Sequence, residues 1–459
     1  MNTVERNLPN EGETTDKSEY FKDVVGRFGE ETTLHGVNHI VTKKSHFIQR
    51  CAWFIFLAGA ISLLGVYAFE NILYFFSRPM STTIAIKQLD ELEFPSVTFC
   101  NYNHARLSVT TPNELSMLGS FFGLVEDGID IFTADFSEIN TTIVAEDLIR
   151  KTAHTVEGAV ELCTWELYEE CGPLNFTTVM TDFGVCYTFN HKSNPRRLMV
   201  QKSGKSRGLY LRLNIEQHEY THGANSAAGF KMLVHTKGER PLISQFGFAL
   251  GPGYETLVAF RKILYKSLKK PYPSECVDEG IKYSDVYTQS LCEEECIADV
   301  LYEKCGCRHT FYPGYSDQKN CTVEEAVECV VPEAEKIVQT NTHCKCRIGC
   351  QYKEYSTKVS SALWPGDHFL EHLEHHLNKS TETIKKNYLD VYLYYEDISY
   401  EFVEQVPAYS PIKLLCDIGG LMGLLCGMSV MTIIEIVEFV CMSFGKCLPK
   451  GKKVGDVVT

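Results

Sequence analysis

Three acidic residues interrupt an apolar segment near the carboxyl end of this 459-residue chain. Asp417 stands near its start, and Glu435 and Glu438, three residues apart near its end, nearly share one face of a helix. A carboxylate inside a membrane span is costly and by default faces protein or water. Several copies of the chain around an axis would turn the acids into rings of negative charge, which select for cations. We therefore predict a cation pathway in a cyclic oligomer, because one chain with two spans cannot enclose a pore.

Glycines recur every four residues in the same segment, at Gly419, Gly423 and Gly427, and therefore share one face of a predicted helix. This spacing lets helices approach closely, so a simple packing ridge is the alternative interpretation. The acids on either side of the glycines favour the pore.

Two segments are apolar enough to span a bilayer. Cys51–Phe69 has nineteen residues without a charge or a proline. They form about 28 Å of helix, close to the roughly 30 Å thickness of the hydrocarbon core. A polar stretch precedes this segment, which argues against a signal peptide. The second segment runs from about Leu414 to Cys441, and its middle, Ile418–Ile434, is uncharged.

Basic residues flank both segments on the side away from the intervening chain, which places both termini in the cytoplasm. The resulting boundaries are a cytoplasmic segment at 1–49, a first span at 50–76, an exterior domain at 77–411, a second span at 412–444 and a cytoplasmic tail at 445–459. The exterior contains fourteen of the nineteen cysteines, an even number suited to seven disulfides. It also contains all four N-x-S/T sequons, which predict glycosylation at Asn140, Asn175, Asn320 and Asn378.

The exterior is predicted to mix strands and helices. Alternating runs predict strands at Leu209–Ile215, Lys231–His235 and Leu389–Tyr395. Helical spacing appears at Leu291–Lys304, Val323–Thr340 and Trp364–Asn387, the last with Leu370, Leu373 and Leu377 on one stripe. The fold class is therefore an α+β membrane protein with two transmembrane helices and a large disulfide-rich extracellular domain.

Two clusters in the exterior could bind a metal. The first is a cysteine ladder within 290–350, where twin C-x2-C pairs are absent, so disulfides are favoured over zinc. The second is a set of four histidines on the predicted helix Trp364–Asn387. Their spacing of three and four residues suits a transition metal or titration near neutrality, and a solvated helix face is the alternative. These histidines are His368, His372, His375 and His376.

Composition and motifs exclude other classes. With 44 basic and 59 acidic residues and no long basic run, the chain is not expected to bind nucleic acid. An ectoenzyme is disfavoured, because neither H-E-x-x-H nor G-x-S-x-G occurs. An ATP-gated trimeric channel needs a basic phosphate-binding cluster, for which Lys269-Lys270 and Arg196-Arg197 are poor candidates. We expect no enzyme activity and no cofactor, only permeant Na⁺.

Several motifs together resemble the degenerin/epithelial sodium channel superfamily, closest to its acid-sensing and peptide-gated branches. They are His35-Gly36 before the first span, Phe94–Asn101 (FPSVTFCN) after it, Gly247–Gly253 (GFALGPG) in the exterior, the cysteine ladder, and Asp417-Ile-Gly-Gly with Gly427-Met-Ser and Glu435. The resemblance covers about Thr32 to Glu438, nearly the whole chain.

The resemblance implies a homo- or heterotrimeric, amiloride-sensitive, sodium-preferring channel in the plasma membrane. Its extracellular domain would comprise palm, knuckle, finger, β-ball and thumb, with the thumb at 290–350. The family's disulfide pattern would stiffen the thumb, since each bridge restricts the unfolded chain. The implied pairs are Cys100 with Cys186, Cys163 with Cys171, Cys276 with Cys350, Cys292 with Cys346, Cys296 with Cys344, Cys305 with Cys329, and Cys307 with Cys321.

The resemblance also implies roles for particular pore residues. Gly427, Met428 and Ser429 match the selectivity filter, where backbone carbonyls replace the ion's water. Met428 is longer than the usual middle residue: the carbonyl geometry persists if its side chain points away from the axis, and sodium preference weakens if it does not. His35-Gly36 matches the gating motif, and Cys416 matches the position where bulky residues hold relatives open.

The opening stimulus is expected to differ from that of the acid-sensing relatives. Ser77–Glu93 contains no histidine pair, and Gly223–Gly229 and Gln339–His343 lack the acids of the relatives' proton pocket, of which Glu239 remains. We therefore expect an external ligand, such as a peptide, or constitutive activity. A proton-gated channel and an auxiliary subunit of a heterotrimer are the alternatives.

Overall fold

The computed structural model describes residues 24–41, 46–122, 125–126, 129–130, 143–221, 226–278, 280–315, 317–340 and 344–443. The chain divides into two units, one comprising residues 1–81 and 407–459 and the other residues 82–406. The first is helical in its described residues, and the second contains the sheets and all seven disulfides.

The strands form two large sheets and two small ones. The seven-stranded sheet has the order β15-β14-β16-β11-β6-β7, with β1 also paired to β16, and the five-stranded sheet has the order β13-β12-β3-β9-β8. β14 and β16 are parallel, and the other pairs with a described register are antiparallel. The strands are β1 Met80–Gln88, β2 Leu92–Glu93, β3 Ser96–Asn101, β4 Val125–Glu126, β5 Ile129–Asp130, β6 Val160–Trp165, β7 Glu169–Cys171, β8 Phe176–Thr181, β9 Gly184–Phe189, β10 Met199–Val200, β11 Leu209–Asn214, β12 Phe230–His235, β13 Phe248–Leu250, β14 Tyr254–Lys266, β15 Gln351–Leu363 and β16 Tyr388–Pro407.

The helices lie at the two ends of the chain and between strands. Helix α1 covers described residues 24–31. A π-helical stretch, Ala326–Val330, joins the helices Val323–Glu325 and Val331–Thr340. The remaining helices are α2 Val37–Val41, α3 Phe47–Phe76, α4 Pro112–Phe122, α5 Ala145–Thr152, α6 Val156–Ala159, α7 Ile243–Phe246, α8 Gln289–Cys305, α9 Val323–Glu325, α10 Val331–Thr340, α11 Asp367–Leu377, α12 Thr381–Asn387, α13 Pro411–Cys426 and α14 Val430–Ser443.

The main core lies in the sheets of the 82–406 unit. The motif Phe94–Asn101 forms its centre, because Phe94, Val97, Phe99 and Cys100 are all fully buried and Phe94 contacts the ring of Trp165 edge-on, with centroids 4.7 Å apart. Burial of such aromatic side chains is a major source of folding free energy. This motif is therefore structural.

The cysteine-rich region is an insertion between two neighbouring strands. β14 ends at Lys266 and β15 begins at Gln351, and the two pair along their whole length. The disulfide Cys276–Cys350 closes the base of the insertion. The seven disulfides of the structure join the same seven pairs that the family resemblance implies.

Most elements predicted within residues 77–411 are found, with boundaries shifted by a few residues. The predicted helix Trp364–Asn387 is two helices, α11 and α12, because Asn378 adopts a left-handed conformation (φ 50°) and ends the first. The leucine stripe faces inward, since Leu370 and Leu373 are buried and Leu377 packs against the same cluster. A glycine is required at Gly253 (φ 77°), where a Cβ would lie 2.9 Å from the carbonyl oxygen of Lys385.

Candidate ion pathway

The first apolar segment forms one long helix. Helix α3 has 30 residues, which corresponds to about 45 Å, and none of them is buried within the chain. It is the one described helix that is long and apolar enough to cross a membrane by itself. Helices α13 and α14 pass the same test only as a pair, which gives up to two spans.

The second apolar segment is broken at the Gly427-Met428-Ser429 motif. The axes of α13 and α14 differ by 77° across it. Gly427 has a left-handed conformation (φ 64°), and its amide donates to the carbonyl oxygen of Gly423 at 3.0 Å. Sequence periodicity predicted Gly427 on a continuous helical face with Gly419 and Gly423, and that prediction is wrong, because Gly427 ends the helix. Glycine adopts this conformation without the steric cost that a Cβ imposes.

The second half of the segment begins with a local cap. The backbone amide of Ser429 donates to Oγ1 of Thr432 at 3.0 Å, and the amide of Thr432 donates to Oγ of Ser429 at 3.4 Å. Thr432 is fully buried. These hydrogen bonds satisfy amides that α14 cannot pair internally, so the break has its own stabilisation.

The His35-Gly36 turn lies against this break. The backbone amide of His35 donates to the carbonyl oxygen of Cys426 at 3.1 Å. The imidazole of His35 covers the Cα of Gly427 and leaves no room for a Cβ there. Gly36 is also left-handed (φ 89°) and faces the ring of Trp53, on which His39 stacks with centroids 4.6 Å apart. The structure thus brings together two motifs about 390 residues apart in the sequence.

Glu435 is bound by the residues that precede the His-Gly turn. Its Oε2 accepts from the backbone amide of Thr33 at 2.9 Å and from the hydroxyls of Thr32 and Thr33, each at 3.2 Å. The Thr33 hydroxyl also lies 2.6 Å from Oγ1 of Thr432. Glu438 is exposed and has no hydrogen bond of this kind among the residues that the structure describes. The two acids therefore have different environments.

Asp417 is held by a tyrosine just before α13. Its Oδ2 accepts from the hydroxyl of Tyr409 at 2.6 Å. The ring of Tyr409 contacts that of Tyr74 edge-on at 5.2 Å, and Nζ of Lys413 lies 5.5 Å from its centroid. The neighbouring Cys416 is an exposed free thiol.

The contacts of Glu435 and Asp417 were missed by the sequence analysis. Thr32 and Thr33 precede His35 by three and two residues, so any residue that contacts the His-Gly motif was expected to lie near them as well. No comparable signal pointed to Tyr409.

The candidate sites of the 82–406 unit have mixed outcomes. The rings of His372 and His376 stack at 6.3 Å, but no group of three or more His, Cys, Asp or Glu side chains could share a metal ion in the described part of the chain. The four-histidine site is therefore not formed.

Of the four predicted glycosylation sites, Asn175 and Asn378 are exposed, whereas Asn320 is half-buried, and Asn140 lies outside the described residues.

Comparison with known proteins identifies the family. The amiloride-sensitive sodium channel family model matches residues 28–439. Acid-sensing ion channel 1C of Danio rerio is 32% identical over 438 residues, which is 90% of this chain and 82% of that protein. Human acid-sensing ion channel 2 is 31% identical over 439 residues, covering 90% and 85%. The human bile acid-sensitive ion channel is 29% identical over 443 residues, covering 91% and 85%.

The chain belongs to the amiloride-sensitive sodium channel family. It is therefore an ion channel protein and not an enzyme. Channels of this family are plasma-membrane assemblies of several subunits. A solved proton-activated chloride channel has a TM-score of 0.33 and 8% identity over 84% of this chain and 96% of that one, a similarity too low to bear on the fold.

Proposed function

We propose that this chain is a subunit of a trimeric, sodium-preferring, amiloride-sensitive cation channel whose ion pathway is narrowest at Gly427-Met428-Ser429. The observation that carries the proposal is the contact of His35 with Cys426 and Gly427, because it lies at the break in the second apolar segment, where one helix ends and the next begins. Backbone carbonyls of non-helical residues that line a pore can replace the water of a cation.

In this proposal α3 is the first span and α13 with α14 is the second, with both termini cytoplasmic. Asp417 stands near the outer mouth, and Glu435 and Glu438 stand beyond the break toward the cytoplasm. The exposed faces of α3 and α13 support assembly, since Gly419 and Gly420 have open space around them in the single chain. Two further copies or homologous subunits would cover these faces together with lipid.

The stimulus that we propose is an extracellular ligand, with a peptide favoured over protons, or constitutive opening. The missing histidine pair and the missing pocket acids support this, although residues 222–225 and 341–343 lie outside the described part. Acid gating is the second candidate. It is favoured by the names of the relatives and by Glu239 and Glu294, because burial raises the pKa of each carboxyl to about 7.

Expression of this chain alone in oocytes under voltage clamp tests the proposal. We expect an amiloride-blocked inward sodium current that is constitutive or elicited by a neuropeptide panel, and a smaller response to acid steps. A large, fast current on acidification supports the second candidate. Surface labelling without current in any condition, followed by current on co-expression with homologous subunits, identifies an auxiliary subunit and shows that this chain alone does not form a conducting channel.

A further inference from the structure

A cavity of about 510 Å³ lies within the 82–406 unit, between the end of β12, the start of α8 and the edge strand β15. Pockets for small organic molecules commonly have volumes of about 300–1,000 Å³. Most of its wall is apolar or aromatic, and the side chains important here are Leu242, Phe246, Phe248, Tyr352 and Tyr355. Phe246 is 59% exposed, which leaves an apolar ring accessible to a ligand.

Glu239 supplies a carboxylate to this cavity. Its Oε2 accepts from the backbone amide of Thr236 at 2.9 Å, which fixes the turn after β12. No lysine or arginine forms an ion pair with Glu239 among the residues that the structure describes. The nearby Glu354 adds a second negative charge, and Lys353 is the cation on the same wall. A carboxylate left unpaired in an apolar cavity is unfavourable, so a cationic ligand would compensate it.

His235 also lines the cavity, but its ring nitrogens are engaged. Nε2 lies 2.8 Å from the hydroxyl of Thr98, and Nδ1 lies 3.2 Å from the carbonyl oxygen of Thr236. Its burial lowers its pKa to about 4, so the ring is neutral at physiological pH and does not offset Glu239. The directional polar anchor for a ligand is therefore the Glu239 carboxylate.

We propose that this cavity binds a small organic cation, a primary ammonium or guanidinium group on an apolar or aromatic body. The cationic group pairs with Glu239, and the body packs against Phe246, Tyr352 and Tyr355, whose ring faces also attract cations. This site is separate from the ion pathway, and its occupancy does not depend on whether the chain conducts.

Calorimetric titration of the purified full-length chain with benzylamine tests the proposal, with benzyl alcohol and benzoate as neutral and anionic probes of similar size. We expect benzylamine to bind more tightly than either. We expect Glu239→Gln to weaken benzylamine binding about tenfold or more, because the variant replaces a hydrogen bond between two charged groups by one to a neutral amide. The matched control is Glu382→Gln, which removes an exposed surface carboxylate and leaves binding unchanged.

A second variant keeps the test decisive if Glu239→Gln does not fold. Ser356 is exposed and lines the cavity, so Ser356→Trp fills the space without removing the carboxylate. We expect it to abolish benzylamine binding while the melting temperature stays close to that of the wild type. Equal binding of benzylamine and benzyl alcohol, or unchanged binding in folded Glu239→Gln or Ser356→Trp protein, overturns the proposal.

The pH dependence provides an independent readout. Benzylamine stays protonated between about pH 6 and about pH 8, as a lysine side chain does. Burial raises the pKa of Glu239 to about 7, so affinity should fall as the pH is lowered through that value. An affinity that rises or stays constant on acidification contradicts the assigned anchor.

The titratable and charged groups around Glu239 are His235 and Arg240 of its own segment, His191 and Lys192 after β9, Tyr283, and Lys353 and Glu354 of β15.

Discussion

The backbone amide of His35 donates to the carbonyl oxygen of Cys426 at 3.1 Å, at the point where the second apolar segment breaks. The same histidine places its ring over the Cα of Gly427, which has a left-handed backbone. An N-terminal turn and a C-terminal break therefore form one structure. A change in either one should disturb the other.

Replacing Gly427 by alanine tests this relationship. The new methyl group collides with the His35 ring and also has to adopt a positive φ, which costs a non-glycine residue about 1 kcal/mol or more. We expect Gly427→Ala to abolish or greatly reduce current at normal surface density, measured by voltage clamp with surface biotinylation. The control is Gly366→Ala in the 82–406 unit, where φ is -67° and no other atom lies within 4 Å of the new Cβ. Wild-type current and selectivity in Gly427→Ala would show that the contact has no role in conduction.

The carboxylate of Glu435 should matter more than that of Glu438. Glu435 accepts three hydrogen bonds from Thr32 and Thr33, whereas Glu438 is exposed within the chain. We expect Glu435→Gln to reduce current more than Glu438→Gln.

A double-mutant cycle with Thr33→Val adds a test of the contact itself. Residues in one hydrogen-bond network have non-additive effects, typically about 0.5–3 kcal/mol. Thr33→Val and Glu435→Gln should therefore be non-additive in their effect on opening, whereas Thr33→Val and Glu438→Gln should be additive. Additivity in both pairs argues against coupling through this contact.

The sequence predicted the helices and strands better than the contacts between them. Hydrophobic runs located α3 and the paired α13 and α14, and the family resemblance implied every disulfide pair found. Periodicity treated Gly427 as one more helical glycine, because the sequence does not show that a histidine from residue 35 occupies the space beside its Cα. The four histidines share a helix spacing, yet helical neighbours alone do not bring three rings around one point. The contact of Tyr409 with Asp417 has no recognisable signal in the sequence.

The sequons should differ in glycan occupancy. Asn320 accepts from Nε and Nη2 of Arg308 at 2.9 and 2.6 Å, and its amide nitrogen donates to Glu146 at 3.2 Å. Asn175 and Asn378 are exposed, so their amide nitrogens are open to modification. We expect Asn175→Gln and Asn378→Gly each to increase gel mobility by one glycan, and Asn320→Gln to leave it unchanged.

Glycine is the suitable replacement at Asn378, because the backbone there has a φ of 50°. Enzymatic deglycosylation should bring wild-type and variant chains to the same mobility. A mobility shift for Asn320→Gln that disappears after deglycosylation contradicts the assignment.

Glu294 should make the stability of the chain depend on pH. It is buried on α8, its Oε2 has no hydrogen-bond partner among the described residues, and burial raises its pKa to about 7 against the attraction of Arg240. A carboxyl with a folded pKa above its unfolded value of about 4.3 stabilises the fold when protonated, and that contribution is lost as the pH rises through about 7.

We therefore expect the apparent melting temperature to fall between about pH 4.5 and about pH 7, and Glu294→Gln to reduce this fall and to melt higher than the wild type at the upper pH. The control is Glu293→Gln, whose carboxylate is exposed on the same helix. Identical pH profiles for Glu294→Gln and the wild type would mean that this carboxyl does not titrate on its own in the folded state.

The most direct test of the proposed ion pathway is the reversal potential of the amiloride-blocked current when external sodium is exchanged for potassium. We predict a shift that shows sodium preference in the wild type, a smaller shift in Ser429→Ala, which removes the hydroxyl that caps the break, and no change in Leu174→Ala, whose side chain is fully exposed in the 82–406 unit. An unchanged reversal potential in Ser429→Ala, together with a blocked current equal to that of the wild type, would contradict the assignment of the break at Gly427–Ser429 as the selective point of the pathway.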